Sequence, residues 1–130
     1  MAMEKRFVLL LAVLLGLQSL VAATPGTATY YTQYVPSSCY GYEDEGTMIA
    51  AASDAIWDNR AACGRMYSVR CTGATNEGVP HPCKDTSVVV KIVDYCPPPG
   101  CRATIDLSQE AFAAIADLNA GKIDIDYTQV

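Results

Sequence analysis

Short apolar runs and period-two alternation dominate the chain beyond its first two dozen residues. Ser87 to Tyr95 (SVVVKIVDY) is rich in β-branched residues and predicts the clearest strand. Ala28 to Tyr34, with three tyrosines and two threonines, predicts a second, and Met66 to Cys71 alternates as a third. Ile123 to Tyr127 reads Ile, Asp, Ile, Asp, Tyr, which gives a strand one apolar and one acidic face. Thr47 to Ala52 and Ala103 to Leu107 are shorter candidates. Two helices fit between the strands. Ser53 can cap a short turn through Asp58. Ser108 caps a better helix, with Glu110 in its first turn, Gly121 past its end, and Phe112, Ile115, Ala116 and Leu118 near one face. Polar loops with Pro80, Pro82 and Pro97-Pro98-Pro99-Gly100 separate these elements. Many short strands with one good helix predict a mainly β fold, a small barrel with one or two short helices against it.

The first residues have a different character. Lys5 and Arg6 precede the uncharged run Phe7 to Leu17, and Val21-Ala22-Ala23 offers the small residues of a cleavage site. Residues 1–23 therefore read as a secretory signal peptide and 24–130 as one domain. The apolar run is shorter than the roughly 20 residues of a membrane-spanning helix, so the chain is not expected to span a membrane. All six cysteines (Cys39, Cys63, Cys71, Cys83, Cys96, Cys101) fall in the exported part and read as a disulfide framework. With no Cys-x-x-Cys pair and His81 as the single histidine, neither a metal nor a cofactor is expected. Loss of the leader takes the net charge from −5 to −6. There is no basic cluster, which argues against nucleic acid and anionic membrane as partners.

Two carboxylates are candidates for chemistry. Asp94 ends the strongest strand, where a barrel rim would partly desolvate it and raise its pKa. An aspartate bonding turn amides would look the same. Asp106 stands between Ile105 and Leu107, two residues ahead of the helix cap; the helix dipole alone could explain it. Paired carboxylates facing a cleft are the equipment of glycoside hydrolysis, although sequence spacing does not show that these two face each other. Tyr30, Tyr31, Tyr34, Tyr40 and Tyr42 fit either a sugar-stacking platform or half-buried strand positions. Glu43-Asp44-Glu45 reads as a solvated loop, Trp57 as core and His81 as a loop residue.

Five segments taken in order resemble the first domain of expansins: Ala28-Thr29-Tyr30-Tyr31, Cys39-Tyr40-Gly41, Ala62-Cys63-Gly64, Val88 to Pro97 (VVVKIVDYCP) and Thr104 to Ala116 (TIDLSQEAFAAIA). That domain is a six-stranded double-psi β-barrel related to family-45 endoglucanases. The resemblance implies disulfides Cys39–Cys63, Cys71–Cys83 and Cys96–Cys101, and a cleft lined by Thr29, Tyr31, Asp94 and Asp106. Met66 stands where expansins usually have another cysteine. A lone barrel without the second expansin domain is similar to the plant natriuretic peptides, also called EG45-like domain proteins. This implies a secreted, apoplastic, monomeric protein acting in water and ion homeostasis, with an unknown plasma-membrane receptor or a wall polysaccharide as partner. The segment tied to hormone activity in that family corresponds to about Pro36 to Met66, including Cys39, Tyr40, Gly41, Asn59, Arg60, Cys63 and Gly64.

Family-45 endoglucanases carry their catalytic base in a Thr-x-Tyr-x-Asp pattern. Thr29 and Tyr31 fit it, but Gln33 replaces the aspartate, and a neutral amide does not take a proton from water. The acid of those enzymes corresponds to Asp106 within Thr104-Ile105-Asp106. The resemblance thus implies a non-catalytic protein, with a vestigial cleft at Thr29, Tyr31, Asp94 and Asp106. The alternatives are a lytic transglycosylase-like enzyme, whose substrate supplies the nucleophile so that one acid suffices, and a wall-glycan binder.

Overall fold

The computed structural model describes residues 22–130. The expected signal peptide, apart from its last two positions, lies outside the described residues. Six strands close into a barrel: β1 (Thr24–Tyr31), β2 (Ile49–Ala52), β3 (Met66–Ala74), β4 (Ser87–Tyr95), β5 (Ile105–Ser108) and β6 (Ile123–Gln129). Around the barrel they run β1-β5-β2-β4-β3-β6, with β1/β5 and β2/β4 parallel and the other neighbours antiparallel. This is a double-psi barrel, and its closure leaves no unpaired sheet edge. Helix α1 (Asp54–Trp57) follows β2, α2 (Gln109–Ile115) follows β5, and a 3-10 turn spans Leu118–Ala120. Among the described residues no helix is long and apolar enough to cross a membrane.

The interior is built from alternate strand residues. Val69, Val90, Ile92, Ile105, Leu107, Ile123 and Ile125 are buried, and Phe112 and Ile115 of α2 cover one side. Three disulfides staple the loops: Cys39–Cys63, Cys71–Cys83 and Cys96–Cys101. Trp57 sits at the rim of the core, partly buried, stacked on Tyr95 with ring centroids 4.8 Å apart.

Several element bounds differ from the sequence expectation. Strand β1 starts at Thr24 and ends at Tyr31, where 28 to 34 was expected. Pro25 and Gly26 have low strand propensity, yet Gly26 lies under Thr104 and Tyr127: a Cβ there would meet Thr104 Oγ1 at 2.7 Å. The glycine allows this close approach rather than a turn. Helix α2 ends at Ile115, well before Gly121. Ala116 is extended and bridges Cys83, and the Asp117 side chain caps the separate 3-10 turn by accepting from Asn119 N at 2.9 Å. The Cys71–Cys83 loop thus ends the helix by drawing Ala116 into a strand-like pair.

Candidate functional site

One register row crosses four strands. Thr29 of β1 is paired with Asp106 of β5, Asp106 with Ala51 of β2, and Ala51 with Asp94 of β4. Residues in one row share a face of the sheet. The neighbours on either side in β5, Ile105 and Leu107, are fully buried, so the row faces away from the core. Asp94 joins it through a bulge. Ala50 pairs with Ile92 and Ala51 with Asp94, so Val93 is the extra residue. Without this irregularity Val93 would occupy the row and Asp94 the opposite face. Ala51 separates the two carboxylates with a single methyl group.

Thr29 Oγ1 donates to Asp106 Oδ1 at 2.9 Å. Burial pushes the Asp106 carboxyl above its ordinary range; the Thr29 hydrogen bond pulls it down and the Asp94 charge pushes it up again. The phenol of Tyr31, two residues along β1, is raised foremost by burial and then by the charges of Asp94 and Asp106. Its hydroxyl is buried with no hydrogen-bond partner among the described residues. Asp94 Oδ1 accepts from Ser38 N and from Tyr95 N, both at 2.9 Å. Asp94 therefore ties the loop after β1 to the end of β4, while Asp106 keeps only a hydroxyl partner. The four residues form one electrostatic cluster.

An open cleft of about 720 Å³ adjoins the β1 end of the row. Thr29 and Asp106 line it, with Thr27 and Tyr30 of β1, Thr75 and Asn76 after β3, Arg102 before β5 and Lys122 before β6. Tyr31 and Asp94 are not among its lining residues: Asp94 lies beyond Asp106 in the row, and Tyr31 is paired with Ser108 farther along β1. Gln33 is exposed, past the end of β1. The five tyrosines form no common platform: Tyr30 packs on Phe112, Tyr31 meets Tyr34 edge-on, Tyr40 lies under the Lys91 ammonium, and Tyr42 is 82% exposed. Glu45, expected in a solvated loop, is partly buried and pairs with Lys91 at 3.0 Å. Among the described residues no group of three or more His, Cys, Asp or Glu side chains could hold a metal ion.

Comparison with known proteins bears on this geometry. An EG45-like domain containing protein of Citrus jambhiri is 60% identical over 114 residues, covering 87% of this chain and 86% of its own. A putative EG45-like domain containing protein 1 of Arabidopsis thaliana is 56% identical over 125 residues, 96% and 98% of the two chains. The chain belongs to the EG45-like domain containing proteins. The family model described as lytic transglycolase matches residues 49–127 of it. Among solved structures, the apo expansin of Clavibacter michiganensis superposes on this EG45-like chain with a TM-score of 0.64 at 31% identity. It covers 84% of the chain, which spans half of that expansin. A mutant of the same expansin, in complex with cellohexaose, gives a TM-score of 0.61 at 29% identity.

The segment from Pro36 to Met66 includes the buried strand β2, and its loops on either side of that strand are tied together by Cys39–Cys63. Asp58, Asn59 and Arg60 are three successive non-glycine residues with positive φ, at 52°, 49° and 75°. Arg60 donates to the Ser38 carbonyl at 2.6 Å, and its guanidinium lies 5.8 Å from the Trp57 ring centre. Gly41 and Gly64 also have positive φ. Sequence reading missed Arg102, Lys122, Thr75 and Asn76. They lie in separate turns, with nothing local to mark them; the chain crossing of the barrel alone brings them to one cleft.

Proposed function

We propose that this EG45-like protein is secreted into the plant apoplast by its leader, residues 1–23, and acts there as a non-hydrolytic protein of the cell wall that binds glycan in the cleft beside Asp106. The observation that carries this reading is the composition of that cleft. Its walls offer hydroxyl and amide groups suited to sugar hydroxyls, and one partly buried carboxyl held by Thr29. Similarity to an expansin solved with cellohexaose supports a glycan as occupant. Inverting hydrolysis needs a second carboxylate to activate water opposite the acid. The corresponding position is Gln33, an exposed amide, and Asp94 has one oxygen committed to two backbone amides. General-base help is worth roughly 10²–10⁴-fold in rate, so its loss leaves an acid without a reaction. The test is reducing-end release from soluble β-glucan, with Asp106→Asn as control. No release above the control is expected; reducing ends whose release vanishes in Asp106→Asn would establish hydrolysis by water, and chain cleavage to anhydro ends, which creates no new reducing end, would establish the reading with the substrate's own hydroxyl as nucleophile.

A second reading, signalling in water and solute homeostasis through a plasma-membrane receptor, draws on the exposed loop residues of segment 36–66. Three consecutive left-handed residues cost on the order of 1–3 kcal/mol each, and such strain clusters at recognition sites. If this segment carries the signal, an Asn59→Ala/Arg60→Ala variant abolishes protoplast swelling while Asp106→Asn preserves it. Swelling unaffected by the segment variant removes that role.

A further inference from the structure

Seven basic residues lie in the described part of the chain, and five of them have polar or ionic partners. Arg65 pairs with Asp58, Arg70 with Asp126 and Lys91 with Glu45. Arg60 donates to the Ser38 carbonyl and Lys84 to the Ala113 carbonyl. Of the lysines and arginines among the described residues, Arg102 and Lys122 alone have a side chain with no ion pair and no hydrogen bond. Both line the cleft beside Asp106. In a chain of net charge −5, two uncompensated cations in one cleft are unexpected from composition.

Their placement follows from the barrel order. Strands β5 and β6 flank β1, and Ala28 of β1 is in register with Ile105 on one side and Ile123 on the other. Arg102 comes from the turn that leads into β5 and Lys122 from the turn that leads into β6. Thr27 and Thr29 of β1 form the floor between them. Both turns are braced through their backbones. Cys101 N donates to the Pro97 carbonyl at 2.9 Å inside the Cys96–Cys101 loop. Thr75 Oγ1 donates to the Lys122 carbonyl at 2.7 Å, and Asn76 Nδ2 to the Ala120 carbonyl at 2.8 Å. The acidic groups nearby are Asp106, engaged with Thr29, and Asp124, in register with Thr27 but not lining the cleft.

We infer that the cleft takes an acidic glycan, a uronic-acid oligomer whose carboxylates meet Arg102 and Lys122 while its hydroxyls meet Thr27, Thr29 and Asp106. This rests on the glycan-binding reading and narrows it to a substrate class. A neutral glucan has hydroxyls for the floor but no charge for the two cations to select. A small inorganic anion would engage one cation and leave most of a cleft of about 720 Å³ unused. Separate cations on two turns suit charges repeated along a chain, and the guanidinium can grip a carboxylate with two parallel hydrogen bonds.

The experiment is calorimetric titration of the full secreted chain with an oligogalacturonate and with cellohexaose of equal length. Wild type, Arg102→Gln, Lys122→Gln and the double variant are compared, each checked for its fold by circular dichroism. Wild type should bind the uronate at least about tenfold more tightly than the neutral oligomer, the effect of one charge-assisted contact. The double variant should lose that preference, binding the uronate no more tightly than cellohexaose. If the double variant does not fold, each single variant should still reduce the preference. Equal binding of the two oligomers by wild type, or uronate binding unchanged in the variants, overturns the inference and leaves the glycan reading standing. Displacement of the uronate by millimolar inorganic phosphate would show a simple anion site and overturn it too. Binding of neither oligomer overturns both.

Discussion

Asp106 and Tyr31 show how partial burial shapes single residues. Burial raises the Asp106 pKa in the folded chain, so the carboxyl ionises less readily there than in the unfolded chain. Its contribution to stability is full below the unfolded-state pKa and is lost as pH rises through the folded-state value. Asp106→Asn keeps an acceptor for Thr29 and removes the titration. The melting temperature of the variant minus that of wild type should rise between about pH 3 and about pH 7, across the carboxylate range; a flat difference would show that Asp106 is not held above its unfolded-state value. Tyr31→Phe removes a buried hydroxyl without a partner. Urea unfolding should show it neutral or stabilised by up to about 1 kcal/mol, and a loss larger than that would reveal a bond the hydroxyl makes. Asp94 and Asp106 were legible in the sequence as candidates because each interrupts an apolar strand. Their relation was not, because a row across four strands has no sequence period.

At the scale of elements, Ser108 joins β5 to α2. Its buried hydroxyl donates to the Thr47 carbonyl and accepts from Ala111 N at 3.0 Å, capping the helix. Ser108→Ala removes the cap and strands a carbonyl, so a loss of about 2–3 kcal/mol is expected in chemical denaturation. A loss under about 0.5 kcal/mol would mean that neither bond matters. This cap was readable from Ser108 and Glu110. The end of α2 was not, since the disulfide-anchored bridge between Cys83 and Ala116 overrides the helical preference of Ala116 and Leu118. Strand β4 was the clearest element, and its bulge left a trace: Ile92 and Val93 are adjacent and both buried, which breaks the alternation of Val88, Val90 and Ile92. Strand β1 was misjudged at its start because Gly26 signals a turn locally and a close contact only once Thr104 is brought over it.

At the scale of the whole molecule, local pattern announces strands and a helix, while the order of five motifs carries the barrel topology. The charges follow neither rule. The chain is acidic, yet the two cations left unpaired among the described residues lie where β5 and β6 flank β1, a consequence of connectivity alone. The central claim is that the cleft beside Asp106 holds a sugar chain without cutting it. Proton–nitrogen correlation spectra of the ¹⁵N-labelled protein, titrated with a glycan oligomer while the oligomer's own anomeric signals are followed, test it most directly. The account predicts shifts that cluster at Thr27, Thr29, Thr75, Asp106 and Lys122, with the oligomer intact throughout. Shifts confined to the Pro36 to Met66 surface, no shifts at saturating oligomer, or new reducing-end signals would contradict it.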